Sequence, residues 1–329
     1  MEVNDSPYVG LDPATSVGLG HLVRVASLRS ILRVPSRILG AFDARLGRSG
    51  LAARRRLLRH RHRTPAVWVV DSGHLPEALI RRRLEHPATP VVWIRRALFK
   101  PEQAAIQGGY LDFVDLVLAP QEAVAQPADT VEAMAEKRGK LARVGIVHAY
   151  QALPAVPAAP TEPRVFLALG AFTPQHRATF IELRRRLELA RVPYLWSAHG
   201  GAPLLAGFPA TRRVSVTKAL AAKARCTALA GEAGYNSVYE ALHLGCPTLL
   251  LANETEGREA QEQRVALAAG SSPNVFDGAA PGAIDAWLSA ASDPSHARFT
   301  PPALAESHGL QQIAAHIERI FDAATPRTY

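Results

Sequence analysis

Ala230-Gly-Glu-Ala-Gly-Tyr-Asn-Ser-Val-Tyr-Glu-Ala-Leu-His-Leu-Gly-Cys-Pro-Thr-Leu-Leu-Leu-Ala-Asn253 runs from a glycine turn through a short helical pattern into an apolar strand, and a polar loop continues to Gln263. Gly231 and Gly234 let the backbone turn tightly and approach a ligand closely. A helix opening at Ser237 would aim its free N–H groups and positive dipole end at whatever occupies that turn, which favours a phosphate. Gly245 suits the position just past a helix end, Pro247 prevents continuation, and Thr248–Ala252 is apolar enough for a central strand. The same residues also admit a reading without a ligand. Ser237-Val-Tyr-Glu240 is a capping box, in which Glu240 bonds back to the Ser237 backbone.

A second, separate signal lies near the N-terminus. Gly18-Leu-Gly20-His21-Leu-Val-Arg24 leads from a glycine loop into a helix backed by Leu22, Val25, Ala26 and Leu28. His21 and Arg24 are three apart and share one face of the first turn. A helix N-terminus disfavours the imidazolium, so His21 is a candidate general base near neutral pH. Arg24 offers a planar fork for a phosphate or carboxylate. A surface His and Arg on an ordinary helix is the plainer alternative.

Together the two segments resemble the GT-B glycosyltransferases, an α/β class with two Rossmann-like domains facing across a cleft. The likeness is to the branch that includes the N-acetylglucosaminyltransferase of lipid-linked peptidoglycan precursor synthesis. Gly18 to His21 matches its opening loop, and Gly234, Ser237, Glu240, Gly245, Pro247 and Gln263 stand at its second-domain positions. The resemblance implies that Gly234 and Ser237 hold a diphosphate, Glu240 bonds the ribose, Gln263 reaches the donor sugar and His21 faces the acceptor. It also implies backbone contact with the nucleobase around residues 212–220, including Val216, and a uridine nucleotide as the donor. Two positions depart from the pattern: Glu232 stands where an Arg is frequent, and Ala266 where an Asn is. UDP-sugar hydrolases of nonulosonic acid synthesis look similar and share the Gly20-His21-Leu-Val-Arg24 opening, with water in place of the acceptor. A non-catalytic partner that binds sugar nucleotides is the third reading.

With 329 residues and 48% apolar content, the chain suits two domains with substantial cores. No run of 18 uncharged apolar residues appears, and the first 20 residues carry Glu2, Asp5 and Asp12 but no Lys or Arg, unlike a secretory signal. The expected location is cytoplasmic. Cys226 and Cys246 read as buried free thiols, with a disulfide between them as the alternative. The net charge of +9 is densest at Arg54–Arg63, where Leu57 and Leu58 stand among arginines. That patch fits a basic amphipathic helix on anionic lipid, which would make the protein membrane-peripheral, or simply a solvated face. Nucleic acid is the weaker partner, since no nucleic-acid motif accompanies the patch. No Asp-x-Asp sequence occurs, so no metal and no cofactor are expected beside the nucleotide-sugar co-substrate.

Strand-like runs at Tyr8–Leu11, Ala66–Val70, Pro90–Ile94, Phe113–Leu118 and Val144–His148 alternate with helical segments, predicting a parallel sheet in a domain spanning 1–150. Residues 34–63 show no convincing strand. Pro154, Pro157, Pro160 and Pro163 mark a linker over 151–163. A second domain, 164–329, restarts the alternation at Arg164–Leu169, Tyr194–Ser197, Thr227–Ala230 and Pro247–Ala252. Gly170 and Thr173 follow its first strand, in a place suited either to donor phosphate contact or to a simple turn. Asp71 and His74 follow the Ala66–Val70 strand and are candidates for acceptor binding or proton handling, with Arg95 and Arg96 at the next strand's end. A last helix over Gln311–Ala323 gathers Ile313, Ile317, Ile320 and Phe321 on one face.

Overall fold

The computed structural model describes residues 7–12, 20–39, 64–96, 98–99, 101–124, 128–153, 162–169, 174–198, 208–253, 260–293 and 295–325. The first half of the chain contributes β1 (Val9–Asp12), α1 (Gly20–Ile31), β2 (Ser36–Ile38), β3 (Val67–Asp71), α2 (Glu77–Glu85), β4 (Val91–Ile94), α3 (Pro101–Gly108), β5 (Leu116–Pro120), α4 (Thr130–Lys137) and β6 (Leu141–Val144). The second half contributes β7 (Val165–Leu169), α5 (Pro174–Leu189), β8 (Tyr194–Ala198), α6 (Val216–Ala224), β9 (Ala228–Glu232), α7 (Tyr235–Leu244), β10 (Thr248–Leu251), α8 (Gln261–Ser271), β11 (Val275–Asp277) and α9 (Ala283–Ser292). Two further helices close the chain, α10 (Pro302–Ala305) and α11 (Gly309–Ala324).

The first sheet has the order β2-β1-β3-β4-β5-β6 and the second β11-β10-β9-β7-β8, with every pairing parallel. Both are doubly wound. Their central strands are nearly continuous apolar runs: Val67-Trp-Val-Val-Asp71 and Val91-Val-Trp-Ile94 are buried throughout, as strands covered on both faces must be. In each sheet the chain reverses direction beside its first strand, between β1 and β3 and between β7 and β9. Such switch points open a crevice at the strand C-terminal ends.

Two strand expectations are corrected. Residues 34–63 do contain a strand, β2, which is half-buried at the sheet edge and paired to β1. Its three residues are too short to show a period, and the Arg37 guanidinium lies 4.4 Å from the Tyr8 ring centroid. The strand expected at Val144–His148 ends at Val144 instead. Beyond it the backbone groups go to side chains: Ile146 O accepts from Gln151 Nε2 at 2.9 Å and Ser307 Oγ at 2.7 Å, and Val147 N donates to Tyr235 Oη at 3.1 Å. Residues bonded in this way cannot extend a ladder, although Ile146 and Val147 are buried like strand residues.

One hydrophobic core runs through both halves. It joins Val9, Leu11, Val67 and Val69 of the first sheet to Tyr235, Val238 and Tyr239 of α7, and takes in Leu310, Ile313, Ile317 and Phe321 of α11. The last helix therefore returns to the first sheet, burying the face that its sequence spacing marked. Its start presses on the end of β6, where Gln312 Oε1 accepts from Gly145 N at 2.7 Å. A Cβ on Gly309 would collide with the Gly145 and Ile146 carbonyl oxygens. Gly309→Ala should therefore lower stability by about 1–3 kcal/mol, through backbone displacement. Denaturant unfolding checks this, and an unchanged midpoint would mean that the helix start relaxes freely. Among the described residues no helix is long and apolar enough to cross a membrane.

Candidate functional site

The first half of the site is assembled at the switch point of the first sheet. Gly20 opens α1, so His21 and Arg24 stand in its first turns, beyond the C-terminal end of β1. Asp71 ends β3, the strand beside β1. His21 Nδ1 lies 2.9 Å from Asp71 Oδ1, while Arg24 donates through Nε to Oδ2 and through Nη2 to Oδ1 of the same carboxylate. Arg24 Nη1 then reaches across to α7 and donates to Asn236 Oδ1 at 2.6 Å. Arg96 Nη2 lies 3.1 Å from His21 Nε2.

These distances assign the tautomer. A guanidinium can only donate, so Nε2 accepts from Arg96 and the ring proton sits on Nδ1, donated to Asp71. Burial pushes the His21 imidazole below its ordinary value and the Arg96 charge adds to this, with Asp71 opposing. Burial would raise the Asp71 carboxyl, but the Arg24 and His21 contacts overcome it and hold the group well below the usual carboxylate range. At neutral pH the pair is therefore a neutral imidazole beside an ionised carboxylate. In that state Nε2 can take up a proton while the Asp71 carboxylate holds Nδ1–H.

The second half lies at the N-terminus of α7. The helix opens at Tyr235 rather than Ser237, with Gly234 as its cap and Ser237 inside its first turn. The capping-box alternative is not formed, because the cap is a glycine without a side chain. Gly234 has open space where a Cβ would be, while a Cβ on Gly231 would stand 3.0 Å from that of Ala168 on the neighbouring β7. Close strand contact therefore requires the glycine at 231. Gly245 ends the helix in the left-handed conformation, φ 64°, as its position suggested.

Other candidates are distributed differently. Glu240 is buried between α6 and α7, where Lys223 Nζ donates to its Oε2 at 2.7 Å. Gln263 is exposed on α8, and the glutamine that turns inward is Gln261. Gln261 Oε1 accepts from Asn253 N at 3.0 Å, and its Nε2 lies 3.3 Å from Glu232 Oε1, which also accepts from Asn253 Nδ2 at 3.0 Å. Sequence spacing pointed to the polar loop but not to which glutamine its helix would bury. Val216 is the first residue of α6. His74 is exposed and 3.5 Å from Tyr110 Oη, apart from the His21 contacts. Arg95 is fully buried and committed to Gln107 (2.9 Å) and Asp129 (2.6 Å), with Glu132 at 3.7 Å, so its charge is matched within the first domain. Gly18, Gly170, Thr173 and Arg54–Arg63 lie outside the described residues. Among the described residues no group of three or more His, Cys, Asp or Glu side chains could hold a metal ion.

Several cross-domain groups carried no sequence signal. Arg264 and Glu122 form an ion pair at 2.8 Å with both side chains at 0% exposure. Tyr239 Oη donates to that glutamate and accepts from Ala123 N at 2.7 Å. A buried pair is costly to break from one side, because the remaining charge is left uncompensated. Glu122→Gln should lower stability by about 3 kcal/mol, and Glu122→Leu with Arg264→Met should recover part of the loss. Chemical denaturation of both variants checks this, and a double variant no more stable than the single one would refute it.

No family model matches the chain, and no curated protein matches it in sequence. Solved structures do. The chain aligns over 95% of its length with all of Os79 from O. sativa, at 15% identity and a TM-score of 0.57. It aligns over 97% with all of the spinosyn forosaminyltransferase SpnP (14%, 0.53), and over 96% with 96% of UDP-N-acetylglucosamine 2-epimerase from Rickettsia bellii (9%, 0.57). At these identities the likeness is one of fold. It covers both sheets, and the GT-B architecture expected from the sequence is borne out.

Proposed function

We propose that this chain is an inverting glycosyltransferase, moving a sugar from a nucleoside-diphosphate sugar to an acceptor hydroxyl held between the two sheets. The observation that carries this reading is the His21–Asp71 pair, set at one switch point and joined through Arg24 to the first turn of the helix at the other. A group-transfer site needs a base on the acceptor side and positive potential on the leaving-group side. His21 Nε2 supplies the first. An acceptor hydroxyl takes over the lone pair to which Arg96 donates, and Asp71 holds Nδ1–H and stabilises the imidazolium as the proton arrives. The first turn of α7, with glycine at its cap, supplies the second through its N–H groups and dipole. Fold neighbours named as a spinosyn forosaminyltransferase and as a UDP-N-acetylglucosamine 2-epimerase support a nucleotide-sugar donor. The uridine base rests on the sequence resemblance.

The test is to incubate the purified protein with a panel of nucleotide sugars, with and without a crude lipid and metabolite extract, and to follow nucleoside diphosphate by mass spectrometry. Release that depends on the extract, with a new glycosylated mass, is expected. Release with free sugar and no extract would replace this reading with hydrolysis, where water takes the acceptor's place. Binding of a nucleotide sugar without release under any condition would leave a non-catalytic binding protein.

A further inference from the structure

Arg24 was a candidate ligand for a phosphate or carboxylate, yet its side chain faces protein groups on both sides of the domain boundary. The residue is 2% exposed. Nε and Nη2 grip the Asp71 carboxylate from α1, and Nη1 donates to Asn236 Oδ1, the second residue of α7. The link thus runs from the residue that orients His21 to the first turn of the helix proposed to hold the leaving group.

That link is not what docks the two domains. The same turn is anchored independently by Tyr235, whose Oη donates to Gln121 O at 2.9 Å and accepts from Val147 N at 3.1 Å. The Glu122–Arg264 pair and a bond from Ala260 N to Leu98 O at 2.8 Å add further ties. What the Arg24–Asn236 bond adds is a connection to the carboxylate. A buried guanidinium donor without an acceptor is costly, so Arg24 would turn to find one if Asn236 moved away. Turning breaks the planar fork on Asp71, because its donors are rigidly spaced. Asp71 then has freedom to rotate, and the His21 ring loses the partner that selects its tautomer.

We propose that Arg24 is a positioning residue that, through Asn236, makes the aim of His21 depend on the N-terminus of α7 standing in place. Its consequence for turnover rests on the glycosyl-transfer reading above, whereas the physical coupling does not. Under that reading the base is set only when the donor helix is seated, so the acceptor proton is not drawn before the leaving group is held.

Asn236→Ala cuts the link and leaves the domain anchors untouched, and Asn236→Asp restores an acceptor for Nη1. In protein labelled with ¹⁵N-histidine, the His21 Nδ1 proton bonded to Asp71 should give a slowly exchanging low-field signal, identified by its loss in His21→Gln. Asn236→Ala should broaden or abolish that signal in a protein that still unfolds cooperatively, its midpoint lowered by the lost bond, and Asn236→Asp should keep it. In turnover, Asn236→Ala should lower kcat by about tenfold or more, as expected when a catalytic group is misaligned, with donor KM within about twofold. Asn236→Asp should recover kcat even where its added charge raises donor KM. An unchanged signal and kcat in Asn236→Ala would overturn the proposal, as would equal loss in both variants, which would indicate damage to the helix start. If the wild-type protein turns over no nucleotide sugar, the transferase reading fails, while the signal comparison still decides the coupling.

Discussion

His21→Ala is expected to lower kcat by about 100- to 10,000-fold, the range attributable to a positioned acid or base, while nucleoside diphosphate binds as before. The two effects separate because His21 belongs to α1, whereas the proposed diphosphate contacts belong to α7. Asp71→Asn should fall in the same range and should also lower stability by about 3 kcal/mol, because the buried Arg24 guanidinium loses its counter-charge. An amide can donate to Nδ1 and so favours the tautomer that leaves Nε2 protonated. Turnover with each variant, paired with calorimetric titration of the nucleotide, is the measurement. Retained turnover in His21→Ala would remove His21 as the base, and lost nucleotide binding would place it on the donor. The pH profile carries the same logic. His21 titrates below its ordinary value, so kcat/KM should hold through neutrality and fall only as pH drops through that lowered pKa.

The second large effect is on stability and comes from histidines outside the proposed chemistry. His148 leaves β6 and meets His243 of α7 with ring centroids 4.3 Å apart, and Tyr150 stacks on His243 at 5.4 Å. Among the described residues, Nδ1 of both imidazoles is buried without a hydrogen-bond partner. Burial, and then the His243 neighbour, push His148 down to about 3, and burial lowers His243 as well. An unfolded chain protonates these groups near 6.5, so below that pH the unfolded state binds protons that the folded state refuses. Stability is therefore fully present above about pH 7 and declines as pH falls toward 3. At about 1.4 kcal/mol per pH unit, His148 alone removes about 2 kcal/mol by pH 5 and about 5 kcal/mol by pH 3. That is a large share of a typical total. Asp71 does not contribute above about pH 5, because the stability from a carboxyl held low in the fold is lost only as pH falls below its unfolded value near 3.9. Denaturant unfolding between pH 7.5 and 5 should show the decline, and His148→Phe, which keeps the stack without the charge, should flatten it. A wild-type midpoint that is constant over this range would show that the pair is protonated or solvated in the folded state.

Much of this architecture is legible from local pattern, and its failures share a cause. The runs Val67–Asp71, Val91–Ile94 and Val165–Leu169 announce themselves because strands buried on both faces must be apolar throughout. The edge strands β2 and β11 do not, since three half-buried residues carry no period and exist only because β1 and β10 offer an edge. Helix ends are similarly divided. Gly245 is legible through its conformational freedom, whereas the residues suggest a start at Ser237, two positions after the real start of α7 at Tyr235. A serine with a glutamate three residues on resembles a cap, while the real cap at Gly234 has no side chain to signal it.

Two parallel α/β units, the amphipathic face of the last helix, and the two glycine-led helix starts that face the proposed site are written in the residues themselves. These follow from period, capping and turn chemistry, which act over a few residues. Folding of the whole chain was needed for His21 to find Asp71, 50 positions away, and for Arg24 to reach Asn236, 212 positions away. The same folding turns Gln261 rather than Gln263 inward and matches Glu240 with Lys223. Those pairings depend on which strands become neighbours and on how one sheet docks against the other. That order is chosen by the burial of whole faces, and no short stretch of residues encodes it.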